Sequence, residues 1–223
     1  MSHISAARSA ARELLADRAY DELRDRIVTL KIAPGAPIDE DLIGEQLGMG
    51  RTPVREAIKR LSLENLVTVY PRRGTFASEI NITDLAHISD VRVVLEGHAA
   101  YRGAQRITAE QRLELESLLK ALDGHDHDGA SVAHEQLMSL DAAVHRFVYR
   151  AAANPYLEVT LNRYFNLSLR IWYLVLDRLP HIVARMDEHR EVLHDIRAGD
   201  PERARDTMAT HVETFAREIR AVL

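Results

Sequence analysis

Cysteine is absent from the chain, which excludes disulfides, zinc–thiolate centres and thiol catalysis. Long apolar runs are absent as well. No stretch could span a bilayer, and Met1 to Arg18 lacks the continuous apolar segment of a secretory signal. These absences predict a soluble, cytoplasmic protein with no membrane association. An excess of positive charge is also missing: the formal net charge is −5, which argues against a protein that coats nucleic acid indiscriminately. There is no internal repeat and no low-complexity tract. What remains is a chain of 223 residues, enough for one medium domain or two small ones with real cores.

The charge is unevenly spread. Residues 51–73 carry six basic and two acidic side chains, against 17 basic and 23 acidic in residues 79–223. The basic stretch contains Arg51-Thr52-Pro53-Val54-Arg55-Glu56-Ala57-Ile58-Lys59-Arg60-Leu61. Thr52 suits an N-cap, and Pro53 suits the first helical position, where a missing N–H costs nothing. Val54, Ala57, Ile58 and Leu61 then form one apolar stripe. Thr52, Arg55, Glu56 and Lys59 fall opposite. An apolar back with a front of Arg, Lys and Thr is what a helix reading the DNA major groove requires. A surface helix with a solvated basic face would show the same residues, so the neighbours decide.

Those neighbours predict a helix-turn-helix with a wing. Ala19 to Leu30 is amphipathic through Tyr20, Leu23, Ile27 and Leu30, with a start as early as Ser9. Lys31 to Pro37, with two prolines and a glycine, breaks it. Asp39 caps a second helix that ends at Leu47-Gly48, and Gly48 to Arg51 is a tight connection into the reading helix. That helix runs to Leu63 or Glu64, with Asn65 at its end. Leu66 to Tyr70 alternates as a strand, Pro71-Arg72-Arg73-Gly74 turns, and Thr75 to Ser78 returns. Arg72 and Arg73 at the hairpin tip are placed to reach phosphates or the minor groove.

Residues 19–78 resemble the winged-helix DNA-binding domain of GntR-type bacterial transcription regulators. The resemblance is carried by Pro34-Gly35, Leu47-Gly48, Arg51 to Ala57 and Arg73-Gly74-Thr75-Phe76. It implies that Arg51, Thr52, Arg55 and the wing around Gly74 contact operator DNA. Met49-Gly50 stands where a Val-Ser pair is usual, and Asn65 where glycine is usual.

From Asn81 onward every strong periodicity is helical. Thr83 opens a helix to Gly103 with Leu85, Ile88, Val91, Leu95 and Ala99 inward. Thr108-x-x-Gln111 is a capping box opening a helix to Asp123. A polar loop, Gly124 to Gly129 with His125 and His127, precedes a long helix to Ala153. Asn154-Pro155 starts another to Asp177. After Leu179-Pro180, two last helices span Ile182–Arg197 and Pro201–Leu223, with Asp200 as N-cap and Pro201 at the first helical position. The expected fold is therefore mainly α. An N-terminal winged helix-turn-helix (1–78) with a small β-hairpin leads through a linker (79–82) into an antiparallel α-helical bundle (83–223).

One constellation within the bundle carries chemistry. Asp141 and His145 share a helix face at i, i+4. His189 and His211 lie symmetrically about the turn near residue 200, so an antiparallel hairpin sets them at one height, about 15 Å from the turn at 1.5 Å per residue. One carboxylate and three imidazoles from three helices suit a divalent metal: zinc, nickel or manganese. Three unrelated buried histidines are the plain alternative. Across the Asn154-Pro155 turn His145 falls opposite Tyr164, and Asn166 faces the cavity. Arg92 is a candidate anchor for a carboxylate ligand because its planar fork binds carboxylate in bidentate fashion; a structurally paired arginine is the alternative.

Residues 83–223 resemble the all-helical effector domain of the FadR-type branch of GntR regulators, the FCD domain. The matching pieces are Asp90 to Glu96, Asp141 to His145, Asn154-Pro155, Glu188-His189 and Gly199-Asp200 through His211. The resemblance implies that Asp141, His145, His189 and His211 hold a metal whose coordination a small carboxylate effector completes, assisted by an arginine near the first helix. It also implies a homodimer on double-stranded operator DNA, a repressor more often than an activator, and no enzyme activity. Two rival readings keep the same residues: a metal-dependent enzyme using the three-His, one-Asp site, and a regulator whose metal is purely structural.

Overall fold

A computed structural model describes residues 2–125, 134–178 and 185–222. The chain divides into two compact units, Met1–Asn81 with Leu169–Leu174, and Ile82–Ser168 with Val175–Leu223.

In the first unit, α1 (Ser2–Val28) leads to the short strand β1 (Pro37–Ile38), α2 (Glu40–Leu47) and α3 (Arg51–Leu63). The strands β2 (Val67–Tyr70) and β3 (Gly74–Ala77) close it. The helix-turn-helix follows from its caps. The Asp39 side chain accepts from the backbone N–H groups of Asp41 and Leu42, and Gly48 ends α2 at φ 64°, a left-handed conformation that glycine adopts without penalty. The turn is tight: a Cβ on Gly44 would lie 2.8 Å from the Met49 carbonyl oxygen. Val54, Ala57, Ile58 and Leu61 are all buried, and α1 contributes Ala19, Leu23 and Ile27 to the same core. Tyr20 donates its hydroxyl to the Glu64 carboxylate at 2.9 Å, and Arg60 lies over the Tyr20 ring, 4.1 Å from its centroid.

Three details of this unit differ from expectation. The helix α3 begins at Arg51 with Gly50 as an extended N-cap that makes no side-chain capping bond, so Thr52 does not cap. Pro53 is the third helical residue; it is tolerated because the first turn has no intrahelical use for its N–H. Pro37–Ile38, at the end of the expected break, pairs antiparallel with β3, giving a three-stranded sheet in the order β1-β3-β2. Two residues are too few to show an alternating pattern. The first helix also starts well before Ser9, at Ser2.

The second unit holds α4 (Asp84–Arg106), α5 (Ala109–His125), α6 (His134–Ala151), α7 (Pro155–Val175), the 3₁₀ turn Leu176–Arg178, α8 (Arg185–Ala198) and α9 (Pro201–Val222). The α7 stretch Leu169–Leu174 groups with the first unit. The capping box at α5 is reciprocal: Thr108 N–H to Gln111 Oε1 at 3.0 Å, and Gln111 N–H to Thr108 Oγ1 at 3.2 Å. Asn154 caps α7 through Tyr156 and Leu157 N–H, and Gly199 turns the α8–α9 hairpin at φ 69°. Residues 126–129 of the polar loop, with His127, and the break at Leu179-Pro180 lie outside the described residues. No described helix is long and apolar enough to cross a membrane.

The inward face of α4 departs from the apolar stripe. Leu85, Ile88 and Ala99 are buried, but Val91 is 37% exposed, and Ser89, Arg92, Glu96 and Gly97 take the interior. The helix is turned because its polar residues have partners inside and its glycines let neighbouring helices approach. A Cβ on Gly97 would lie 3.2 Å from the Arg205 carbonyl oxygen of α9, and one on Gly103 would lie 3.3 Å from Ala151 Cβ of α6.

Candidate nucleic-acid interface and metal centre

The exposed face of α3 carries Arg51, Thr52, Arg55 and Lys59. Pro53, within the Arg51 to Ala57 stretch that carries the resemblance, is buried with Val54, so its side chain sets the start of the helix and offers nothing to a ligand. Glu40 and Asp41, in the first turn of α2, hold two of the arginines. Asp41 accepts from Arg51 Nη2 at 2.8 Å, with its Oδ1 2.5 Å from Nε, and Glu40 accepts from Arg55 Nε at 2.7 Å. In the wing, Arg72, Arg73 and Gly74 are all exposed. Arg72 sits at φ 62° and Gly74 at φ 105°, and the tightness of the hairpin requires both. Arg73 lies over the Tyr70 ring, 5.6 Å from its centroid.

In the bundle, α6, α8 and α9 bring Asp141, His145, His189 and His211 together. One ligand atom from each lies within 4.8 Å of every other, and all four residues are buried. His189 Nε2 is 3.0 Å from Asp141 Oδ1, His145 Nε2 is 3.7 Å from the same oxygen, and His145 Nε2 is 3.2 Å from His211 Nε2. Zinc bonded to imidazole nitrogens at about 2.0–2.1 Å in a tetrahedron separates them by roughly 3.3 Å. The donor set therefore fits a metal ion. Asp141 Oδ2 is buried without a hydrogen-bond partner, and Oδ1 faces the His189 imidazole at 3.0 Å; a buried oxygen left so is costly for a carboxylate unless a cation takes its lone pairs.

Two carboxylates orient the imidazoles from behind. Glu96 Oε2 lies 2.6 Å from His145 Nδ1, and Glu188 Oε2 lies 2.7 Å from His211 Nδ1. A carboxylate at Nδ1 accepts a hydrogen bond from the ring N–H there and leaves the Nε2 lone pair pointing at the centre, the usual device behind a metal-ligating histidine. Burial opposes ionisation of Glu96, but Arg92 and His145 outweigh it and hold its carboxyl at about 2. Burial likewise opposes the Asp141 charge, and His145, His189 and His211 prevail to lower its pKa. Burial, with His189 and His145 alongside, pushes His211 well below the ordinary imidazole range. At neutral pH it is therefore the neutral ligand a metal needs.

Arg92 Nε donates to Glu96 Oε1 at 2.5 Å, and the guanidinium lies 5.2 Å from the centroid of the Phe165 ring. Its Nε is thus committed to Glu96. Asn166 is buried, and its Oδ1 has no hydrogen-bond partner. Phe165, one residue from the expected Tyr164, faces His145 at 4.7 Å between ring centroids. Sequence reasoning missed Glu96 and Glu188. Each had a signal: Glu96 follows Arg92 by four residues on one helix, and Glu188 directly precedes a proposed ligand.

A winged helix-turn-helix followed by a helical bundle with a ligand-type polar interior defines the class: a DNA-binding transcription regulator. Models of two known families match in this order, "Bacterial regulatory proteins, gntR family" over residues 15–77 and "FCD domain" over residues 87–214. The chain belongs to the GntR family of bacterial regulators, with an FCD domain, and is not an enzyme. It is 24% identical over 206 residues to the HTH-type transcriptional repressor RspR of Escherichia coli K12, covering 91% of this chain and 88% of that protein. It is 28% identical over 207 residues to a probable D-xylose utilization operon transcriptional repressor of Paenarthrobacter nicotinovorans, covering 92% and 88%. Among solved structures, E. coli McbR/YncC superposes with a TM-score of 0.79 at 22% identity over 93% of this chain and 97% of that one. A GntR regulator from Rhodococcus sp. RHA1 does so with a TM-score of 0.72 at 21% identity, over 93% and 98%. These likenesses establish the fold.

Proposed function

We propose that this regulator is a cytoplasmic homodimeric repressor whose hold on a two-fold symmetric operator is set by a small carboxylate metabolite at a divalent metal in the helical domain. The domain limits are 1–78 for the DNA-binding part and 83–223 for the sensing part. The observation that carries the reading is Asp141, a buried carboxylate whose Oδ2 lacks a hydrogen bond, set among the imidazoles of His145, His189 and His211. Asp141, His145, His189 and His211 would hold the ion, which supplies a point of positive charge for a carboxylate ligand. The chain's own residues do the rest. Glu96 and Glu188 fix the ring tautomers, Phe165 walls the site against water, and Asn166 offers an uncommitted amide oxygen. The outer edge of Arg92 addresses the ligand.

On the DNA side, Arg51, Thr52 and Arg55 read bases, and Lys59, Arg72, Arg73 and the Gly74 backbone follow phosphates. A ligand that switches operator occupancy almost completely must favour one dimer arrangement by about 5 kcal/mol. The test uses the full chain with duplexes drawn from DNA flanking its own gene. Metal content is measured by elemental analysis, and a panel of small carboxylates is screened by thermal shift with and without chelator. The expected result is bound metal, a chelator-sensitive shift for one carboxylate, and loss of duplex retention when it is added. A double variant His189→Ala/His211→Ala that lacks metal yet keeps the full carboxylate response would reduce the metal to a structural pin. Turnover of the carboxylate would contradict the assignment as a regulator.

A further inference from the structure

Two carboxylates stand on the reading surface of a protein that must approach phosphates. Asp41 is 61% exposed and its partner Arg51 65%; Glu40 is 28% exposed and Arg55 65%. Ion pairs this exposed contribute little to folding stability, and capping of α2 is done by Asp39. Each carboxylate repels DNA phosphates and weakens sequence-independent affinity. Their geometry points to another use. Asp41 grips the Nε–Nη2 edge of Arg51 at two points, 2.5 and 2.8 Å, and Glu40 grips Arg55 at Nε, 2.7 Å. A guanidinium is a rigid planar fork with a second, outer edge formed by Nη1 and Nη2. With the inner edge clamped, the long side chain is held in one rotamer, and the outer edge matches the O6 and N7 acceptors of guanine.

We propose that Asp41 and Glu40 are positioning residues for specificity: they hold Arg51 and Arg55 so that each presents its outer edge to a guanine in the operator half-site. Discrimination among bases thereby rises while general affinity for duplex falls. This inference rests on the reading that Arg51 and Arg55 contact bases.

Selection of bound sequences from a randomised duplex pool tests it, using the full-length wild type, Asp41→Asn, Glu40→Gln, Arg51→Ala and Arg55→Ala. Circular dichroism and melting of each variant verify the fold; Asn and Gln keep the shape of the residues they replace. The wild type enriches guanine at two positions per half-site. Arg51→Ala abolishes the preference at one position and Arg55→Ala at the other. Asp41→Asn weakens guanine preference about tenfold at the Arg51 position, and Glu40→Gln does so at the Arg55 position. Retention of random duplex is unchanged or stronger in both, because each removes a negative charge. If both carboxylate variants keep the wild-type preferences while the arginine variants lose them, the positioning role is overturned and the base-reading role stands. If the arginine variants also keep the preferences, base reading by Arg51 and Arg55 fails with it.

Discussion

The Nε2 atoms of His145 and His211 face each other at 3.2 Å, and the Nδ1 atom of each ring is held by its own carboxylate, Glu96 or Glu188. With both ring protons drawn outward, two lone pairs meet across the gap. That arrangement is repulsive by itself and attractive around a cation.

Metal binding should therefore stabilise the protein measurably. At a hundredfold excess of free divalent metal over its dissociation constant the gain is about 2.7 kcal/mol, or roughly 5–10 °C in Tm for a unit of this size. Differential scanning calorimetry of chelator-treated protein, with and without zinc, nickel or manganese, reads it directly. Asp141→Asn should abolish the metal-dependent rise. It should also lower the Tm of metal-free protein, because, against burial, the three imidazoles hold the Asp141 carboxyl below the ordinary carboxylate range and its charge therefore contributes to the fold. A metal-dependent rise that survives in the variant would show that Asp141 does not hold the ion.

Glu188→Gln should weaken metal affinity by about 10–100-fold, the usual range for a partner that orients a ligating histidine. Glu188 is itself 35% exposed, so metal-free stability should change little. Competition with a calibrated chelator measures the affinity, and an unchanged value would detach Glu188 from the site.

Gly97→Leu should destabilise the bundle by about 1–3 kcal/mol through overpacking. Its Cβ would meet the Arg205 carbonyl oxygen at 3.2 Å and Arg205 Cγ at 3.3 Å, and helix backbone yields poorly. Because α9 carries His211, metal affinity should fall with stability. Urea denaturation and metal titration of Gly97→Ala and Gly97→Leu should rank in that order; equal behaviour would mean that the α4–α9 contact is slack.

Lys59→Ala should lower operator affinity uniformly across sequences and reduce the slope of log affinity against log salt by about 1, as expected for one lost phosphate contact. Fluorescence anisotropy across a salt series gives both numbers. A change in base preference at constant slope would make Lys59 a base reader.

Tyr20 gives the first unit a pH limit. Burial, then the charge and hydrogen bond of Glu64, push its phenol from the ordinary 10.0 up to about 12. Between pH 10 and 12 the unfolded chain has released this proton and the folded chain has not. The contribution is thus complete below pH 10 and is lost as pH rises through about 12. Tyr20→Phe should flatten that part of the stability curve in urea melts at stepped pH. An identical decline in both proteins would assign it to other groups.

Much of this was legible along the chain because caps and turns are local. Asp39, Gly48, Asn154 and the Thr108–Gln111 box lie where the helices begin and end, since each satisfies backbone groups within a few residues of itself. The pairing of His189 with His211 was legible for a related reason. In a helical hairpin with a one-glycine turn, rise per residue alone sets which positions stand level. The wing was legible from its alternation, whereas the two-residue β1 was not, having too few residues to alternate.

By itself, then, the sequence determined the order of elements, the basic helix α3 and the four residues that meet inside the bundle, because periodicity, capping and hairpin register are short-range properties. Only the tertiary structure decided which way α4 faces, because burying Arg92 and Glu96 is favourable only once His145 and Phe165, from distant stretches, stand opposite them. It also decided that Glu188 backs His211 and that Asp41 and Glu40 pair with Arg51 and Arg55. Such contacts depend on the relative rotation of packed helices, which no spacing within one helix encodes.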